Sequence, residues 1–120
     1  MKKIARTAFM LMWLLMVFVI GCSQQPMAYE TIHEVAFAGN LADVKRHLRK
    51  GAIVNVRDEL GKTPLFWAAA NGRLDVVKFL VAKGANVNAR DKNNETPLME
   101  ATHEGHRNVA EFLKQHGAKE

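Results

Sequence analysis

The feature that most constrains this chain is an internal period of 33 residues. Thr63-Pro64-Leu65 recurs as Thr96-Pro97-Leu98. Gly39, Gly72 and Gly105 keep the same spacing, and so do Gly51, Gly84 and Gly117, each followed by an alanine (Ala52, Ala85, Ala118). Asn55 recurs as Asn88, and Arg57-Asp58 as Arg90-Asp91. Val44, Val77 and Ala110 stay in register, as do Phe79 and Phe112. Self-similarity at such a period marks a stack of supersecondary units, each burying its apolar face only against its neighbours. About three units fit the periodic part, which is near the minimum for a stable array.

Each unit reads as two short helices. Thr63 and Thr96 suit an N-cap, where a side-chain oxygen accepts from an orphan amide. Pro64 and Pro97 suit the first turn, where the missing N–H costs nothing. Leu65, Ala68 and Ala69 form a narrow buried stripe, and the alanines let neighbouring helices approach closely. Gly72 ends that helix. Val76, Val77, Phe79, Leu80 and Val81 give a second helix its apolar side, and Gly84 ends it. Gly61 falls where the turn needs positive φ. Its equivalent is Asn94, the next-best residue in that conformation.

Thr-Pro-Leu, a central glycine and a terminal Gly-Ala at this period resemble the ankyrin repeat. The resemblance covers residues 30–120, in units of about 30–57, 58–90 and 91–120. It implies an all-α solenoid of helix-turn-helix units with projecting turns. The ends depart from the pattern: Glu30-Thr31-Ile32 stands for Thr-Pro-Leu, Arg46 and His47 replace Phe79 and Leu80, and Glu111, Lys114 and Gln115 make the last helix polar. A terminal unit has one face in water, so these changes read as capping.

Ankyrin arrays grip another folded protein along a concave strip of turn tips and first helices. Carried over position by position, the strip here comprises Glu59, Leu60 and Lys62 with Ala70 and Asn71. The next unit adds Lys92, Asn93 and Glu95 with His103 and Glu104, and the first adds Phe37 and Ala38. Leu60 is a large apolar residue at a turn tip where the repeat requires none. Phe66 stands where the family often has histidine, and is expected to offer an aromatic face, while Trp67 is expected to pack against neighbouring helices. So short an array implies an interface of ~1,200 Å², near the low end of the specific range.

The first 21 residues read differently. Lys2, Lys3 and Arg6 form a positive n-region, and Ala8 to Ile20 an apolar h-region of 13 residues. Both match a secretory signal peptide, and a spanning helix needs about 20 apolar residues. Val19-Ile20-Gly21-Cys22 resembles the lipobox of bacterial lipoproteins. That resemblance implies cleavage before Cys22, whose thiol takes a diacylglyceryl group as a thioether; the alternative is an uncleaved N-terminal anchor, or an ordinary signal peptide cleaved nearby. Residues 22–29 then form a tether. Acyl chains hold a protein at a membrane by about 0.8 kcal/mol per buried CH₂, so several hold it firmly. Ser23 after the cysteine favours the outer membrane of a bacterial envelope, with the domain facing the periplasm.

Charge and chemistry narrow the function further. The formal charge is +5, but Lys2, Lys3 and Arg6 sit in the leader, leaving 14 bases against 12 acids beyond it. So small an excess argues no nucleic-acid partner. Cys22 is the single cysteine, so neither an internal disulfide nor a thiolate cage is available. His103-Glu104-Gly105-His106 superficially resembles a zinc motif, but that motif needs histidines four apart on one helix. These are three apart across a helix-ending glycine, and His106 matches the family's structural Gly-His. His33, His47 and His116 stand singly, with no nucleophile paired to them by a recognisable motif. No cofactor, metal or catalytic residue is expected. Lys45, Arg46, Arg49 and Lys50 form a basic cluster that reads first as a solvated cap and second as a face for anionic lipid or an acidic partner. The expected function is a monomeric, non-enzymatic, lipid-anchored adaptor for another protein. The alternative is a periplasmic immunity-type inhibitor of a toxin or enzyme.

Overall fold

The computed structural model describes residues 31–120. The expected signal peptide, the tether and Cys22 lie outside the described residues. Six helices follow in order: α1 (Ile32–Ala38), α2 (Leu41–Arg49), α3 (Pro64–Ala70), α4 (Leu74–Ala82), α5 (Pro97–His103) and α6 (Arg107–Gln115). Among the described residues there is no strand, and no helix is long and apolar enough to cross a membrane.

The caps form as the residue types dictate. Thr63 Oγ1 accepts from the Phe66 amide at 3.3 Å, and Thr96 Oγ1 from the Met99 amide at 3.2 Å. Prolines sit in the first turns of α3 and α5. In the first unit the cap falls one residue later than the period implies. Thr31, not Glu30, caps α1, and Glu34 returns the bond from its side chain at 2.9 Å to complete a capping box. The chain thus replaces Thr-Pro with a reciprocal pair that satisfies the same orphan amides.

The first helices α1, α3 and α5 stack in one layer and α2, α4 and α6 in another, with the first layer the more closely packed. Alanine is the reason. Ala36, Ala68, Ala69 and Ala101 are fully buried between first helices. Val44, Val76, Val77, Leu80, Val109 and Leu113 fill the space between layers, each fully buried. A stack packed more tightly on one side curves toward that side, which is the side of the first helices and turns.

Polar ties recur from unit to unit. Arg73 Nε donates to the Phe37 carbonyl at 3.2 Å, and His106 Nε2, one period on, donates to the Ala70 carbonyl at 3.1 Å. Asn55 Nδ2 donates to the Gly84 carbonyl at 3.2 Å, and Asn88 Nδ2 to the Gly117 carbonyl at 3.1 Å. Gly72 is needed for the His106 contact. Its φ is +67°, and a Cβ there would stand 2.5 Å from His106 Nδ1. Among the described residues Asn94 is the one non-glycine with positive φ, at 64°.

Candidate protein-binding surface

The first projecting turn is built around one carboxylate. Asp58 Oδ1 accepts from the amides of Leu60 and Lys62, both at 2.9 Å. The backbone closes the loop with Asp58 N–H donating to the Lys62 carbonyl at 3.0 Å. Asp58 Oδ2 accepts from the Trp67 indole at 2.7 Å, which fastens the turn to α3. Burial works to raise the Asp58 carboxyl. The bonds from Trp67, Lys62 and Leu60, with the nearby His33, outweigh it and hold the group below its ordinary value of 3.8. This turn is therefore a preformed, charged element.

The second turn repeats half of that device. Asp91 Oδ1 accepts from the amides of Asn93 at 2.9 Å and Glu95 at 2.8 Å. Its Oδ2 is buried without a partner, because Glu100 stands where Trp67 stands in the preceding unit. The two turns are joined by the Lys92 amide donating to the Leu60 carbonyl at 3.0 Å.

The strip residues expected from sequence divide into three groups. Leu60, Lys92, Asn93, His103 and Glu104 are exposed, with His103 Nδ1 3.3 Å from Glu104 Oε1. Glu95 and Lys62 are half-buried, and Lys62 Nζ lies 4.7 Å from the Phe66 ring centroid and 4.8 Å from that of Trp67. Phe66 needs correction, and Asn71 is engaged within the array. Asn71 is half-buried, and its side-chain amide donates to the Phe37 carbonyl at 2.7 Å, so it ties two units together. Phe66 is 1% exposed and offers no aromatic face. An apolar ring at that position turns inward, under Lys62, where a histidine would stay near the polar turn. Trp67 packs as expected, edge-on to Phe37 of α1 with ring centroids 5.9 Å apart.

What the sequence did not single out is a cleft of about 590 Å³ between α1 and the first turn. Phe37, Leu60 and Trp67 give it apolar walls, and Glu34, Asp58 and Glu59 line it with carboxylates. Phe37 and Leu60 are 44% and 52% exposed. The one available signal was Arg57-Asp58 repeating as Arg90-Asp91, which marks the aspartate as a recurring anchor of the turn.

The opposite face is basic. In the α2 cluster Arg46 pairs with Asp43 at 2.9 Å, while Lys45 Nζ lies 5.3 Å from the Phe79 ring. Among the described residues no group of three or more His, Cys, Asp or Glu side chains is placed to hold a metal ion.

The family model described as ankyrin repeats (three copies) matches residues 32–120. The chain belongs to the ankyrin repeat family. Curated relatives match over part of the chain. DNA-binding protein RFXANK from Homo sapiens is 50% identical over 46 residues, covering 38% of this chain and 18% of that protein. Acyl-CoA-binding domain-containing protein 4 from Oryza sativa subsp. japonica is 46% identical over 44 residues, covering 37% and 13%. Protein phosphatase 1 regulatory subunit 27 from Homo sapiens is 39% identical over 51 residues, covering 42% and 33%. The chain thus spans a third or less of the length of these relatives. Ankyrin repeats are protein-binding modules, so another protein is the partner class that the family implies.

Proposed function

We propose that this ankyrin-repeat chain is a non-catalytic adaptor that holds one protein partner at a bacterial envelope membrane, anchored through lipidated Cys22 and facing the periplasm as a monomer. The supporting observation is the first turn with its cleft. Asp58 locks the turn in a fixed shape, and that turn presents Leu60, half exposed, beside Phe37. A rigid loop carrying an exposed large apolar side chain next to an aromatic is how a binding surface limits the entropy lost on association. Anchoring favours a membrane-associated partner, because confinement near the surface raises the effective concentration.

The test is chemical crosslinking in the native host with the full chain, followed by affinity capture and mass spectrometry. Leu60→Arg is the control, since Leu60 is exposed and its loss leaves the core intact. One envelope protein captured with wild type and lost with Leu60→Arg supports the adaptor. Stoichiometric loss of that protein's activity on binding moves the reading to an immunity-type inhibitor. Equal capture by both chains, or capture of nothing specific, removes the strip as the interface.

A further inference from the structure

The cleft between α1 and the first turn has a chemistry more specific than an exposed leucine. Its walls are the Phe37 ring, the Trp67 indole and the Leu60 side chain. Three carboxylates line it, from Glu34, Asp58 and Glu59, with the His33 imidazole, held at 3.0 Å by the Val56 carbonyl, and no lysine or arginine. Glu59 is exposed and makes no ion pair among the described residues. Glu34 uses one oxygen on the Thr31 amide. Asp58 already accepts from three N–H donors and acts chiefly through its negative field.

We infer that the cleft is an anchor site for an arginine side chain of the partner protein. This rests on the reading of the strip as a protein-binding surface, and it names the chemistry of the residue that enters. Charge complementarity selects the occupant. A carboxylate or phosphate is repelled by three acids. A purely apolar anchor covers Glu34 and Glu59 without pairing them, which is unfavourable. An arginine meets both requirements. Its aliphatic stem lies along Leu60 and Phe37, and its weakly hydrated guanidinium stacks on aromatic faces while donating to carboxylates in a planar fork. Lysine carries the same charge, but its ammonium is more strongly hydrated and lacks the fork. The volume of about 590 Å³ accommodates one such side chain with its flanking backbone.

The test uses the full chain, ¹⁵N-labelled, in nonionic detergent micelles, titrated with a capped Gly-Arg-Leu-Gly tetrapeptide. The uncleaved chain has two tryptophans, so two indole N–H signals report, and Trp13→Phe assigns them. The Trp67 signal moves saturably with the arginine peptide and the Trp13 signal does not. The citrulline analogue, equal in shape and uncharged, binds about fivefold or more weakly, as does the arginine peptide to a Glu34→Gln/Glu59→Gln double variant, consistent with exposed ion-pair and cation–π contributions. The circular dichroism of that variant stays unchanged. Equal binding of citrulline or norleucine peptides would make this an apolar pocket and overturn the assignment. So would unchanged affinity in the double variant, or no saturable shift at Trp67. If the peptide fails while a partner is still captured in a Leu60-dependent way, the arginine anchor is wrong and the adaptor reading stands. If the peptide binds charge-dependently and no partner is captured, the anchor stands and the adaptor reading falls.

Discussion

Replacing Gly72 by alanine tests how the units are held together, and Gly105 supplies the control within the same chain. Both glycines end a first helix with positive φ, +67° and +79°. A left-handed conformation costs an L-residue about 1–2 kcal/mol, and the reduced freedom of the unfolded chain returns about 0.4–1 kcal/mol. Gly105→Ala therefore costs about 1 kcal/mol, since a Cβ there meets nothing within 4 Å. Gly72→Ala meets His106, with Nδ1 at 2.5 Å, Cε1 at 2.8 Å and Cγ at 2.9 Å from the new Cβ. The imidazole must move, and its 3.1 Å bond to the Ala70 carbonyl is lost. That loss contributes about 1 kcal/mol and the overpacking about 1 kcal/mol more. Gly72→Ala should then cost about 3 kcal/mol, roughly 2 more than Gly105→Ala. Removing the obstruction with His106→Ala should make the Gly72→Ala/His106→Ala pair less damaging than the sum of its parts by about 1–2 kcal/mol. Urea unfolding followed by far-ultraviolet circular dichroism measures all four variants. Equal costs at Gly72 and Gly105, or strict additivity in the double variant, would refute the inter-unit contact as described.

Other outcomes follow from the same structure. Asp58 has a depressed carboxyl, so its stabilising contribution is full above the unfolded value near 3.8 and disappears as pH falls through the lower folded value. Asp58→Asn should therefore flatten the acid side of a urea-midpoint against pH curve, and an unchanged slope would remove Asp58 from the account. Glu100→Trp should stabilise the domain by about 1 kcal/mol by giving the buried Asp91 Oδ2 a donor, measured as a raised urea midpoint. Cys22→Ser should abolish incorporation of labelled fatty acid and move the chain from the membrane to the soluble fraction. A wild-type chain that takes up no label would sink the lipoprotein proposal.

The 33-residue period makes the fold legible in the sequence. It located the Thr63 and Thr96 caps, the terminating glycines and the left-handed Asn94, because each is a local rule repeated at fixed spacing. Local rules also misled. Phe66 sits on a first helix beside an exposed turn, and its inward rotation depends on the room left between stacked units and on Lys62 above it. Asn71 falls on the strip by its place in the repeat, but its partner is a carbonyl of the preceding unit. The cleft was invisible for the same reason. Phe37 belongs to α1, Glu59 and Leu60 to the turn and Trp67 to α3, and they meet only once the units stack. The α1 cap moved by one residue because a capping box at Thr31 and Glu34 satisfies the same amides as Thr-Pro.

Under the proposed function, partner binding uses the turn side of the array and not its outer helices. Site-specific photocrosslinking in the native host tests this most directly, with a benzoylphenylalanine placed at Leu60 in one chain and at Glu111 on α6 in another, both exposed positions. Position 60 should give a discrete higher-mass adduct to one envelope protein, and position 111 none. Adducts from position 111 alone, or equally from both, would contradict a turn-side interface.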